Sequence, residues 1–148
     1  MDVAQKTAVH KAITTAGLAG TAETDLLQLF CQTLLRKGLP LGRANVVIDT
    51  LHPVHEGRAF RWHRDNPQLP PIEYGRTNVS GPMQEGWRRS IFYHLLQTGG
   101  SLLRRRLVDD PRADFPILDE LRAEGHTDHV VLIHRFAEEG AVGEMDCV

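Results

Sequence analysis

Residues 43–64 constrain the fold most, because their pattern predicts two β-strands joined by a short turn. The first strand covers residues 45–51 and contains three consecutive β-branched residues that start at Val46. Such side chains fit a pleated, half-buried surface. Pro53 cannot donate a hydrogen bond to a strand ladder, so we expect the first strand to end there.

The second strand of this hairpin follows an expected reversal at Glu56 and Gly57. Residues 59–63 alternate in character, which places Phe60 and Trp62 on one face of the sheet. We therefore expect the other elements of the chain to pack around this hairpin.

The rest of the chain alternates between helical and extended patterns. A second helix is expected between a Thr21 or Thr24 cap and Gly38, and a long loop at residues 66–80. Apolar spacing and turn residues predict further helices at residues 2–16, 82–97 and 116–123, and strands at residues 101–107, 127–136 and 143–148. The continuous apolar run in residues 127–136 suggests a strand covered on both faces. This order predicts an α+β fold with a mostly antiparallel sheet and helices packed on it.

The length of 148 residues predicts one main domain, which we place at residues 21–148. The helix within residues 1–20 is poor in large apolar side chains, so it is expected at the periphery, as a candidate to pack against a second copy of the chain. Residues 145–148 resemble the start of a strand. We therefore expect the chain to be the front part of a longer protein, cut before the last elements of its domain.

Composition excludes several classes of protein. A net charge of −2 lacks the basic excess of a nucleic-acid-binding protein. No stretch approaches the ~18 apolar residues that a membrane-spanning helix needs. The two cysteines, Cys31 and Cys147, are far apart and form no C-x-x-C motif, which favours the reducing cytoplasm.

Eight histidines raise the question of a metal site. His52 and His55, like His126 and His129, are separated by two residues, but neither pair has cysteine partners or the helical H-E-x-x-H arrangement. Hydrogen-bonded histidines at strand ends are the favoured interpretation, and a metal remains an alternative. Haem is a further alternative, with one of three histidines as axial ligand: His52, His94 or His134.

The sequence contains no recognisable catalytic motif. It has no G-x-S-x-G nucleophile and no glycine-rich phosphate loop. Cys31 lies in an apolar helical stripe, where a thiol is expected to be buried and inert. The basic run at residues 104–106 is expected to be an edge of a solvated strand. We therefore do not expect this chain to be an enzyme.

Aromatic side chains provide the best candidates for a binding site. Together with the loop at residues 66–80, they are expected to line a cavity for a small ligand. The alternative is that they form the hydrophobic core. The candidates are Phe60, Trp62, Trp87, Phe92 and Tyr93.

Seven short motifs occur in a characteristic order between residues 26 and 148. They are residues 38–44 (GLPLGRA), 50–53 (TLHP), 59–62 (AFRW), 89–96 (RSIFYHLL), 104–107 (RRRL), 115–121 (FPILDEL) and 125–131 (GHTDHVV). Together they resemble the N-terminal regulatory region of bacterial class III adenylate/guanylate cyclases that carry a GAF-like domain ahead of the catalytic domain. His129 departs from this pattern, in which a tyrosine is more usual.

The resemblance implies a GAF-like antiparallel sheet with helices, and a regulatory function. Cyclase activity would belong to a separate downstream domain. The chain would then be a non-catalytic sensor and dimerisation module, with a second copy of itself and the cyclase domain as partners. A stand-alone protein that binds a small ligand, a metal or haem is the alternative.

Overall fold

Helices and strands alternate in the part of the chain that the computed structural model describes, namely residues 1–49, 55–67, 69–75, 82–108, 112 and 114–134. The contacts of the backbone divide the chain into two units, Met1–Arg76 and Thr77–Val148. The predicted domain covers residues 21–148, whereas in the structure the first helix belongs to the first unit, through its contacts with the second helix. The mixed content confirms the α+β class.

The first unit contains two helices followed by a three-stranded sheet. The strands are antiparallel and lie side by side in chain order. Its elements are α1 (Val3–Leu18), α2 (Glu23–Arg36), β1 (Arg43–Asp49), β2 (His55–His63) and β3 (Ile72–Gly75).

The core of the first unit forms between α2 and one face of the sheet. Phe60 and Trp62 are both buried, and β1 places Val46 and Ala44 directly opposite them. Leu27 and Cys31 on α2 complete this cluster because they lie one helical turn apart on the same face. The alternation predicted for residues 59–63 is therefore confirmed.

The two ends of α2 differ in how well the sequence predicts them. The N-cap is Ala22, which has no side-chain hydrogen bond, so the predicted Thr21 or Thr24 cap is wrong. Gly38 is a C′ residue with a φ of 84°, as predicted. Its N–H donates to the Leu35 carbonyl and the N–H of Leu39 donates to the Leu34 carbonyl, which is the pairing of a Schellman motif.

Two predictions around the hairpin need correction. Glu56 and Gly57 lie within β2, so the reversal predicted at these two residues is wrong. The loop predicted at residues 66–80 contains β3, which pairs antiparallel with β2. The proline-rich composition of residues 66–80 does not predict β3. This strand forms because β2 provides its pairing partner, and not because its own residues favour a strand.

The second unit contains three short helices and a two-stranded sheet. Its two strands are antiparallel, with Leu103 opposite Val131. Its elements are α3 (Pro82–Arg88), α4 (Ile91–Thr98), β4 (Leu102–Arg106), α5 (Pro116–Ala123) and β5 (Asp128–Leu132).

The core of the second unit gathers buried side chains from α4, α5 and both strands. The predicted helix at residues 116–123 is confirmed, and Gly125 ends it with a φ of 81° and a second Schellman pairing. The buried cluster comprises Ile91, Leu95, Leu103, Leu107, Phe115, Leu118, Leu121 and Val131.

The apolar run of β5 is covered on one face only. Val131 is buried, whereas Val130 and Leu132 are 49% and 67% exposed. The prediction of a strand covered on both faces is therefore wrong for the residues described. The expected final strand at residues 143–148 lies outside them. No helix in the described part of the chain is both long and apolar enough to cross a membrane.

We expect Leu118→Ala to lower the free energy of unfolding of the second unit by about 2–5 kcal/mol, because the substitution leaves a cavity at a side chain with no solvent exposure. Urea denaturation followed by tryptophan fluorescence, in a Trp62→Phe background that leaves Trp87 as the remaining tryptophan, measures this change. Leu132→Ala is the matched control, since its side chain is mostly exposed. Equal losses in both variants would contradict the assigned core.

Candidate functional site

The candidate site lies where the predicted helix at residues 82–97 breaks in two. α3 ends at Arg88 and α4 begins at Ile91. Ser90 is the N-cap of α4, and its hydroxyl oxygen accepts a hydrogen bond from the N–H of Tyr93 at 3.1 Å. A serine in this role satisfies an otherwise unpaired backbone donor at a helix start. The break leaves Arg88 and Arg89 at the junction of the two helices.

The α4 helix has one face in the core and another beside the junction. Ile91 and Leu95 are buried at a spacing of four residues. Tyr93, His94 and Gln97 lie on a different face, because a helix turns by 100° per residue.

These residues line a pocket of about 370 Å³ within the second unit, which we call the α4 pocket. Its lining combines cationic, aromatic and polar side chains. The lining residues are Arg88, Arg89, Tyr93, His94, Gln97, Asp114 and Phe115.

The single carboxylate among these lining residues is already paired. Nη2 of Arg105 donates to Oδ2 of Asp114 at 2.9 Å. This hydrogen bond and the arginine charge hold the pKa of Asp114 below its usual range. Arg88 and Arg89 are exposed and form no ion pair with a residue that the structure describes. The charge left over among the described lining residues of the α4 pocket is therefore positive.

Two ring side chains that line the α4 pocket, His94 and Phe115, are in contact with each other. Phe115 is nearly buried, and the ring of His94 meets it edge-on with 5.4 Å between centroids. The guanidinium carbon of Arg105 lies 6.0 Å from the centroid of the Phe115 ring, at the outer limit of a cation–π contact. Arg105 thus contacts both Asp114 and Phe115.

This arrangement suits a small molecule that combines an oxyanion with a ring. Arginine binds phosphate and carboxylate groups in a planar, bidentate geometry. Tyr93 and Phe115 offer apolar surface beside Arg88 and Arg89, which have no ion-pair partner among the described residues. Pockets for small ligands commonly combine such a hydrophobic lining with a few charged groups that fix orientation.

The five predicted aromatic residues divide between the two units. Tyr93 lines the α4 pocket, and the ring of Trp87 contacts it edge-on at 6.2 Å. Phe92 packs against the core of the second unit. Phe60 and Trp62 belong to the core of the first unit. A single cavity lined by all five stays a prediction.

Trp62 has one unusual feature. Its indole N–H is buried and has no hydrogen-bond partner among the residues described. Buried donors are normally paired. In other respects Trp62 packs as an ordinary core residue against α2.

The histidines predicted as metal ligands do not come together in the described part of the chain, where no group of three or more metal-binding side chains occurs. Nε2 of His126 lies 3.1 Å from Oε2 of Glu124. His129 is on β5, opposite Arg105. His52 lies outside the described residues, and only the backbone of His55 is described, at the start of β2. Of the candidate haem ligands, His94 lines the α4 pocket and His134 follows β5.

The first unit contains a buried cysteine and an apolar groove. Cys31 is fully buried, and burial raises the pKa of its thiol to about 11, in line with the predicted inert cysteine. A mostly apolar groove of about 350 Å³ lies between α1 and α2 in the first unit. It is lined by Met1, Lys6, Val9, His10, Ile13, Thr14, Phe30 and Leu34.

Most of the α4 pocket is not predicted by apolar periodicity, which favours a single helix over residues 82–97. Ser90 was the available signal, since serine is a preferred N-cap and competes with helix continuation. Arg105 was also misjudged. Strand alternation turns it toward the core side with Leu103, while Arg104 on the opposite face bonds Asp128. The basic run is therefore only partly a solvated strand edge.

Comparisons of the whole chain with protein-family models, curated proteins and solved structures find no match.

Arg105→Gln should raise the pKa of Asp114 toward its ordinary value of 3.8, because the variant loses the main hydrogen bond and charge that lower it. Carboxyl ¹³C NMR across an acid titration measures this pKa. In the unaltered protein the pair stabilises the fold at neutral pH. This contribution fades as the pH falls below about 3.8 and through the lowered pKa of the folded state.

The neighbouring pair provides a crossed control. Arg104 donates from Nε to Oδ2 of Asp128 at 2.9 Å and lowers the pKa of Asp128. Arg104→Gln should release Asp128 and leave Asp114 unchanged. An Asp114 titration that responds equally to both variants would contradict the assigned pairing.

Proposed function

We propose that the chain is a non-catalytic sensor and dimerisation module that regulates a nucleotide cyclase domain. In this proposal its fold is GAF-like, and the molecule that it senses binds in the α4 pocket. The observation that carries the proposal is the α4 pocket itself, in which two arginines without a described ion-pair partner share the lining with Tyr93 and Phe115.

The electrostatics of the α4 pocket favour an anionic ligand. Arg105 balances the charge of Asp114, so Arg88 and Arg89 are left to attract the ligand. Both side chains are exposed, and ordering them costs conformational entropy. A ligand that engages both guanidinium groups in charge-assisted hydrogen bonds offsets this cost.

The segments that resemble cyclase regulatory regions also supply this pocket. Residues 89–96 contribute Arg89 and two other lining residues, and residues 115–121 contribute Phe115. Residues 104–107 contribute Arg105, which orients Asp114. Three of the seven motifs therefore converge on one site, which is the arrangement expected if they serve ligand binding.

A ligand in the α4 pocket can affect the core of the second unit through α4. Ile91 and Leu95 fix α4 against the core that also includes Leu103 of β4. A ligand that pulls on the junction before α4 favours one placement of this helix over another. Such a bias of two arrangements is the usual way in which a sensor module controls a neighbouring domain.

Phenyl phosphate is a suitable probe because it carries both an oxyanion and a ring. We expect it to bind the full chain more tightly than inorganic phosphate does, and to bind more weakly at high salt. Arg89→Gln should weaken its binding about tenfold or more, the effect of losing one charged hydrogen bond. Calorimetry reports binding, and so does a change in tryptophan fluorescence, because the ring of Trp87 contacts Tyr93.

Arg104→Gln is the matched control, since Arg104 lies outside the α4 pocket but on the same unit. It should bind phenyl phosphate as the unaltered protein does. Equal affinity of Arg89→Gln and the unaltered protein, or no binding of either probe at millimolar concentration, would reject the α4 pocket as the sensing site.

The regulatory part of the proposal has a separate test. The gene should encode a class III cyclase domain beyond the codon for Val148, and cyclic-nucleotide synthesis by that longer protein should change in Arg89→Gln. A reading frame that stops at Val148 with no cyclase partner would contradict regulation while leaving ligand binding intact.

A further inference from the structure

Of the two edge strands in the sheet of the first unit, β1 is the less protected. The sheet order places β1 at one edge and β3 at the other. β1 is seven residues long and pairs with β2 without a register shift, and it contains neither lysine nor proline. β3 has four residues, and a shift at His55/Gly57 interrupts its pairing. Natural edge strands are normally protected by such shortness or irregularity, which β1 lacks.

The backbone groups of β1 alternate in direction. The N–H of Arg64 donates to the carbonyl of Gly42 at 2.9 Å, and this pair continues the register in which Ala44 faces Trp62. In an antiparallel ladder, every second residue is bonded to the partner strand. Even-numbered residues therefore bond to β2, and the N–H and C=O groups of Asn45 and Val47 point away from it.

The side chains of β1 are apolar and incompletely covered. Val46 and Ile48, which share the face of the α2 core, are 41% and 38% exposed, and Val47 on the other face is 40% exposed. Three neighbouring residues with this exposure form an apolar strip along an edge that can accept hydrogen bonds and donate them.

We propose that two copies of this chain pair antiparallel through the outer edges of their β1 strands, with Val46 on the two-fold axis. This proposal rests on the dimerisation part of the proposed function. It names the interface through which the dimer forms.

Length and charge select this register. A symmetric pairing about Val46 aligns all seven residues of β1 with all seven of the second copy, and Asn45 exchanges hydrogen bonds with Val47 at both ends. Ala44 then faces Ile48, and Val46 faces itself. By register position, residues 43 and 49, which are arginine and aspartate, stand opposite each other twice. A register centred on another residue leaves part of β1 unpaired.

The pairing also extends the core of the first unit. Val46 and Ile48 lie on the face that carries Phe60 and Trp62. A second β1 strand covers the exposed sides of these residues with its own apolar row. The outcome is a six-stranded sheet with a single continuous apolar face, built by strand addition.

Cysteine cross-linking tests the register. The two copies of residue 46 form a non-hydrogen-bonded pair with Cα atoms about 4.5 Å apart, a separation that a disulfide accepts. We therefore expect Val46→Cys, in a Cys147→Ser background, to give a covalent dimer of the full chain under mild oxidation. Ile48→Cys is the matched control, because the two copies of residue 48 lie about 14 Å apart. Non-reducing electrophoresis measures both.

Sedimentation of the full chain provides the second measurement. The unaltered protein should be dimeric at micromolar concentration, and Val47→Lys should weaken the dimer about tenfold or more by placing a charge at the edge. Leu39→Lys, at a residue of similar exposure in the same unit, should remain dimeric.

The outcomes separate the two proposals. A dimer that resists Val47→Lys and gives no Val46→Cys cross-link overturns the β1 interface alone. Equal cross-linking through residue 48, or equal dissociation by Leu39→Lys, overturns it as well. A monomeric unaltered protein at high micromolar concentration rejects dimerisation together with this interface, whereas phenyl phosphate binding still decides the sensing site independently.

Discussion

The number of large apolar side chains is the constraint on which this structure depends. Each unit has enough of them to cover one face of a small sheet. In the first unit Phe60 and Trp62 pack against α2, and in the second Val131 packs into the core while Val130 and Leu132 remain exposed. Small antiparallel sheets tolerate a solvated face, so this one-sided burial is stable. Its consequence is that strand faces and edges remain available for other contacts.

Local sequence signals predicted the parts of the fold that local interactions determine. The alternation at Phe60 and Trp62, the helix Pro116–Ala123 and the glycine ends at Gly38 and Gly125 all follow from side-chain spacing and backbone conformation. Long-range pairing determines the rest. β3 forms because β2 offers it a ladder, and the division after Arg76 depends on contacts that no short window contains.

The α4 pocket was only partly predictable for the same reason. Tyr93 was recognised by residue type, but Arg89 and Phe115 reach the site through a helix break and through the packing of α5. The side chain of Ser90 caps the start of α4 and so separates it from α3. Apolar periodicity does not detect such a break. Candidates chosen by aromatic character therefore spread over two units, whereas the pocket combines charge with aromatic surface in one.

Cys31 gives the first unit an internal reporter. It is the single cysteine between residues 1 and 76, its side chain has no contact with solvent, and burial raises the pKa of its thiol to about 11. Alkylating reagents require an accessible thiolate, so modification of this sulfur must wait until α2 separates from the sheet. The rate at which the Cys31 thiol is alkylated therefore reports how often α2 opens locally. Mass spectrometry can measure this rate without an engineered cysteine.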